Sequence, residues 1–119
     1  MKFYEIELNG KTLKFRLTSN DCMTIEKQTG KSFADYISEM SMTTVVTLLR
    51  YMRRSDAYNF DQEDASKLYD TLIDNGYTLE TIISDIIMET LVVSGFMKKD
   101  DLQAIKGVKE EIKKDAMKK

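Results

Sequence analysis

The dipeptide Asn9-Gly10, set between two alternating segments, constrains this chain more than any other feature of its sequence. Residues 2–8 and 11–17 switch between apolar and polar side chains with the two-residue period of a strand. Asn-Gly accepts the two positive φ angles of a type I′ turn, whose twist suits a hairpin. A two-residue turn fixes the register. Tyr4 then faces Phe15 and Ile6 faces Leu13 on one side, while Glu5 faces Lys14 and Phe3 faces Arg16 on the other. A lone hairpin is marginal in water, so the Tyr4/Ile6/Leu13/Phe15 side must pack on something.

Helices are what remains available. Thr18-Ser19-Asn20-Asp21 offers several N-caps for a short helix that Gly30 ends. Ser32 caps a second, from Phe33 to about Met40, with Phe33, Tyr36, Ile37 and Met40 on one face. Ser41 caps a third that turns Val45, Leu48, Leu49 and Met52 inward and carries Arg50, Arg53 and Arg54 elsewhere. Residues 55–59 read as a loop. Asp61 caps a fourth helix with the stripe Ala65, Leu68, Tyr69, Leu72 and Ile73, stopped by Asn75-Gly76. Thr78 caps a fifth, with Tyr77 placed to staple onto Ile82. This last helix buries Leu79, Ile82, Ile83, Ile86, Ile87 and Leu91, and its apolar residues on more than one face predict a central position.

The expected fold is therefore α+β and mainly helical. One domain, residues 1–97, holds a hairpin (2–17) packed on four to five short helices within 20–95. Residues 98–119 form a lysine-rich tail, helical by propensity, with a thin stripe of Leu102, Ile105, Val108 and Ile112 interrupted by Gly107. The tail carries eight lysines and five acids, whereas residues 1–97 carry ten basic and fifteen acidic side chains. A mildly acidic body does not predict a nucleic-acid binder.

Composition removes most catalytic chemistries. The chain has no histidine, so imidazole bases and histidine metal ligands are excluded, and its single Cys22 builds no thiolate cluster. A lone Cys also fits a reducing compartment and reads as a small core residue. Gly30-Lys31-Ser32 shares only the last letters of a phosphate-binding loop; the earlier glycine is replaced by Ile25 and no buried strand precedes it. The acidic pairs Glu63/Asp64 and Asp100/Asp101 sit at helix starts, where they favour the positive end of the helix dipole. No catalytic, cofactor or metal residue is assigned. No apolar run approaches the ~18 residues of a membrane span and no signal sequence opens the chain, so a cytoplasmic protein is expected.

Two surfaces remain for function. Arg50, Arg53 and Arg54 form a basic patch if the third helix continues through them, with Tyr51 able to stack on a base; the alternative is a solvated helix C-terminus whose cations oppose the dipole. Eight methionines are many for 119 residues. Met23, Met40, Met42, Met52, Met88 and Met97 suit either an adaptable apolar surface or gap-filling in the core. Met52 has inward spacing. Met42, Met88 and Met97 fall off the stripes and, with Leu102 and Ile105 of the tail, are the candidate protein-interaction residues.

The segment Leu17-Thr18-Ser19 through Ile25-Glu26-Lys27-Gln28-Thr29-Gly30-Lys31-Ser32 resembles tail assembly chaperones of long-tailed bacteriophages and prophages. The later order is also similar: a small helical domain, an Asn75-Gly76-Tyr77-Thr78 break before a final apolar helix, and a lysine-rich end. The resemblance covers residues 1–97 and implies a non-enzymatic role in the host cytoplasm. Such proteins keep the helical tape-measure protein soluble, recruit tail tube subunits around it, and leave the finished particle. Many are made in two forms by ribosomal frameshifting. The family supplies no catalytic residues. Homo-oligomerisation is compatible with this reading. A nucleic-acid-binding regulator using the arginines and a structural tail protein are the competing expectations.

Overall fold

A computed structural model of the chain describes residues 2–54 and 60–101. It is α+β: a three-stranded antiparallel sheet of order β1-β2-β3 carries helices on one face. β1 (Tyr4–Leu8) and β2 (Lys11–Phe15) form the expected hairpin in the expected register, Tyr4↔Phe15, Glu5↔Lys14 and Ile6↔Leu13. Asn9 and Gly10 both take positive φ, 52° and 76°, as a type I′ turn requires. Ile6, Leu8, Leu13 and Phe15 point into the core, and Glu5, Glu7, Thr12 and Lys14 point to water. On that outer face the Lys14 ammonium lies 5.6 Å from the Phe3 ring centroid and the Thr12 hydroxyl donates to the Glu7 carboxylate.

The caps act as the sequence indicates. Thr18 caps α1 (Ser19–Thr29) in a capping box with Asp21, and Gly30 ends it in the left-handed region at φ 71°. The Glu26 carboxylate accepts the Phe33 N–H at 2.8 Å, so α1 supplies a partner to the first turn of α2 (Phe33–Glu39), which Ser32 caps. Ser41 caps α3 (Met42–Met52), which buries Thr44, Val45, Leu48, Leu49 and Met52. Asp61 caps α4 (Gln62–Asp74), again with a capping box. Of the stripe expected there, Ala65 and Leu72 are buried, Leu68 and Tyr69 half-buried, and Ile73 is exposed. Helix α4 rests chiefly on α3, so only one narrow arc of its surface is covered.

Three consecutive segments make up the last described long helix, α5 (residues 79–93): Leu79–Ile82, a π segment Ile83–Ile87, and Met88–Val93. Thr78 caps it. The π segment resolves the puzzle of apolar residues on several faces. In an uninterrupted α-helix, Ile82, Ile86, Ile87, Thr90 and Leu91 would spread over about 180° of the circumference. The wider π turn advances each residue by only about 80°, which gathers the same five onto an arc of about 120°. All five are buried. The Thr90 hydroxyl donates to the Ile86 carbonyl at 2.6 Å, so this buried polar group is satisfied.

One expectation needs correction. Arg53 and Arg54 do not continue α3. They form β3 (Arg53–Arg54), pairing with β2 as Phe15↔Arg53 and Lys14↔Arg54. The reason is tertiary: the Arg16 N–H donates to the Met52 carbonyl at 2.8 Å, and bonding along the β2 edge replaces the last helical turn. α3 and α5 share the centre of the molecule. Phe15, Leu17, Ile25, Leu48, Leu49, Met52, Leu72, Ile82, Ile86, Ile87 and Leu91 are all essentially inaccessible. Burying each side chain of this kind contributes about 1.5–3 kcal/mol. The exit of the hairpin is tied to the end of α5, where the Leu17 N–H donates to Ser94 Oγ at 2.8 Å. The loop expected at 55–59 and most of the tail, including Leu102, Ile105, Val108 and Ile112, lie outside the described residues.

Candidate functional site

The methionine candidates separate by environment. Met42 is the first residue of α3, at the edge of its buried stripe, and is 49% exposed; Met23 on α1 is 51% exposed. Met88 and Met97 are not exposed surface residues. Both are half-buried and pack against the core, because the π turn swings Met88 toward it and the turn after α5 folds Met97 back. Met52 lies fully inside. Two exposed apolar residues join Met23 and Met42 that sequence reasoning did not single out. They are Ile73 at the end of α4 and Phe96 beyond α5, 38% and 44% exposed. Phe96 meets Phe33 at 5.9 Å between ring centroids, so the start of α2 and the segment after α5 make one aromatic ledge. No periodicity flags Phe96, which sits outside every helical stripe.

The three arginines have different partners. Arg50 lies over the ring of its neighbour Tyr51, 5.1 Å from the centroid, while the Tyr51 hydroxyl donates to Gln28 Oε1 at 3.1 Å. Arg54 Nη2 donates to Asp21 Oδ2 at 2.6 Å. The Arg53 guanidinium donates to the Lys14 carbonyl at 3.4 Å and to the Arg54 carbonyl. Arg53 and Arg54 thus fasten β3 to the sheet and to α1. A side chain committed to a carboxylate neutralises no phosphate, and the strand removes the helical spacing on which a basic patch depends.

Among the described residues no group of three or more Cys, Asp or Glu side chains is placed to hold a metal ion, and no helix is long and apolar enough to cross a membrane. Cys22 is buried against the core. Burial first, then the carboxylates of Asp21 and Glu26, push its thiol from the ordinary 9.0 up to about 11. Two consequences are expected. At pH 8 a disulfide reagent should modify native Cys22 more slowly than the urea-unfolded chain, on the order of a hundredfold if thiolate fraction alone governs the rate. The raised thiol also favours the folded state while it stays protonated, so stability should fall as pH climbs from about 9 through about 11. Tyr4 adds to the same alkaline loss; burial, then Glu89, Asp85 and Tyr77, raise its phenol above the usual value. Urea unfolding at pH 8 and pH 10 in wild type and Cys22→Ala checks this. An equal alkaline loss in both proteins would remove Cys22 as a cause.

Among the described residues the exposed large apolar side chains are therefore Met23, Met42, Ile73 and Phe96, the last set against half-buried Phe33. Comparison of the chain with protein-family models, with curated proteins and with solved structures finds no match.

Proposed function

We propose that this protein is a tail assembly chaperone of a long-tailed bacteriophage or prophage, binding the tape-measure protein and recruiting tail tube subunits in the host cytoplasm. The observation that carries the reading is the Leu17-Thr18-Ser19 to Gly30-Lys31-Ser32 pattern and its place in the chain. Thr18 caps the helix that leaves the hairpin, Gly30 ends it, and Ser32 begins the next. A chaperone of this kind covers apolar helical surface reversibly, which calls for moderate interfaces and adaptable side chains. Met23 and Met42 supply flexible thioether chains, and Phe96 supplies aromatic area, each at the surface of a separate element. Separate small contacts suit a partner that must later be handed over, because each can release without disturbing the core.

The test is co-expression with the long helical tape-measure protein encoded beside it. The soluble fraction of that protein should rise several-fold with wild type and fall back with Met23→Ser/Met42→Ser/Phe96→Ser. No rise in solubility with wild type would sink the proposal.

A further inference from the structure

The β1 edge is the one feature of the sheet that the proposed function leaves unused. Among the described residues, strand order β1-β2-β3 makes β1 an outer strand whose strand partner is β2. In a two-residue hairpin the residues that flank the turn exchange hydrogen bonds, so Leu8 bonds Lys11 and alternation adds the pairs Ile6/Leu13 and Tyr4/Phe15. The N–H and C=O of Glu5 and Glu7 then point away from β2, along the outer edge. Those two residues also carry the exposed side chains of the strand, whereas Ile6 and Leu8 are buried. The edge therefore offers backbone partners for an incoming strand together with two carboxylates on its solvent face. On the inner flank, Asp85 and Glu89 of α5 face Tyr4.

Charge selects the occupant. A second copy laid antiparallel along β1 would set Glu5 and Glu7 opposite glutamates of its partner, and like charges across a strand pair are destabilising. A strand with lysine or arginine at alternate positions meets the same carboxylates favourably, and within the hairpin Glu5 already stands opposite Lys14. We infer that the outer edge of β1 accepts an extended, basic segment of another protein by strand addition, Glu5 and Glu7 supplying both the backbone bonds and the charge selection. This inference is independent of the tail-assembly reading and stands or falls separately.

The probe is a labelled heptapeptide Lys-Thr-Leu-Lys-Phe-Arg-Leu, the sequence of residues 11–17, which already pairs with the other edge of β1 in the fold. Titrated with the full chain at low salt, it should give saturable anisotropy, and a version with glutamate at each lysine and arginine should not. Glu7→Pro removes an outward N–H together with the Glu7 carboxylate and keeps the β1–β2 backbone bonds, as proline on an edge strand can. It should weaken peptide binding roughly tenfold. Amide exchange in the wild type gives a readout that needs no variant: peptide should slow Glu5 and Glu7 by about tenfold or more, with Ile6 and Leu8 already slow without it. Equal binding of both peptides, unchanged exchange at Glu5 and Glu7, or a dimer of the chain that protects those amides by itself would overturn the inference.

Discussion

Replacing Phe15 with alanine is expected to remove about 3–5 kcal/mol of unfolding free energy, the usual range for deleting a fully buried phenylalanine. Phe15 is on the middle strand, between Tyr4 and Arg53, and its ring is wholly enclosed by the helices beneath the sheet. The site cannot collapse easily, because β2 is held on both sides. Domains of this size hold about 5–15 kcal/mol in total, so the variant should be marginal at 25 °C. Urea unfolding should show a much lower midpoint at an unchanged slope. Thr12→Ala, one turn-proximal position on the exposed face, should stay within about 0.5 kcal/mol of wild type. A Phe15→Ala loss below about 1 kcal/mol would mean that the sheet does not seal the core as described.

Asp21→Ala is the second large effect, about 2–3 kcal/mol, because one carboxylate oxygen accepts three hydrogen bonds, two from Thr18 and one from Arg54. Asp21 Oδ2 accepts the Thr18 N–H at 2.9 Å, the Thr18 hydroxyl at 2.8 Å and Arg54 Nη2 at 2.6 Å. The pair is partly withdrawn from water, with side-chain exposures of 15% for Asp21 and 34% for Arg54. Removing Asp21 takes away the reciprocal half of the α1 capping box, leaving the Thr18 N–H without its acceptor, and leaves the Arg54 guanidinium of β3 without its counter-ion. Arg54→Ala should cost less, since the Thr18/Asp21 capping box stays whole. A double-mutant cycle should return a coupling of about 1 kcal/mol, and strictly additive losses would show that the ion pair contributes nothing to stability.

These two residues illustrate what the sequence discloses and what it hides. The hairpin and the caps are local devices: Asn9-Gly10, Thr18, Gly30, Ser32, Ser41, Asp61 and Thr78 act through neighbours a few residues away, so their roles can be read along the chain. The third strand cannot be read that way. Arg53 and Arg54 have good helix propensity, and only the distant Lys14, Phe15 and Arg16 draw them into the sheet. The candidate surface fails for a related reason. Met42 is exposed because it opens α3, before the helix enters the core, and Met88 is drawn half under cover because the turn through α5 is not uniform. Ile73 errs the other way. It shares the stripe of α4, but that helix has a single close neighbour and the far end of the stripe has nothing to cover it.

The widened turn in α5 has a consequence for length. A π segment amounts to one residue more than a plain helix needs to join the same two ends. Dropping half-buried Ser84 would turn the π segment into a plain helix between the same two ends, and Ile86, Ile87 and Leu91 would keep their bearings. A buried helix of this protein can thus lose a codon without turning its core-facing residues toward water.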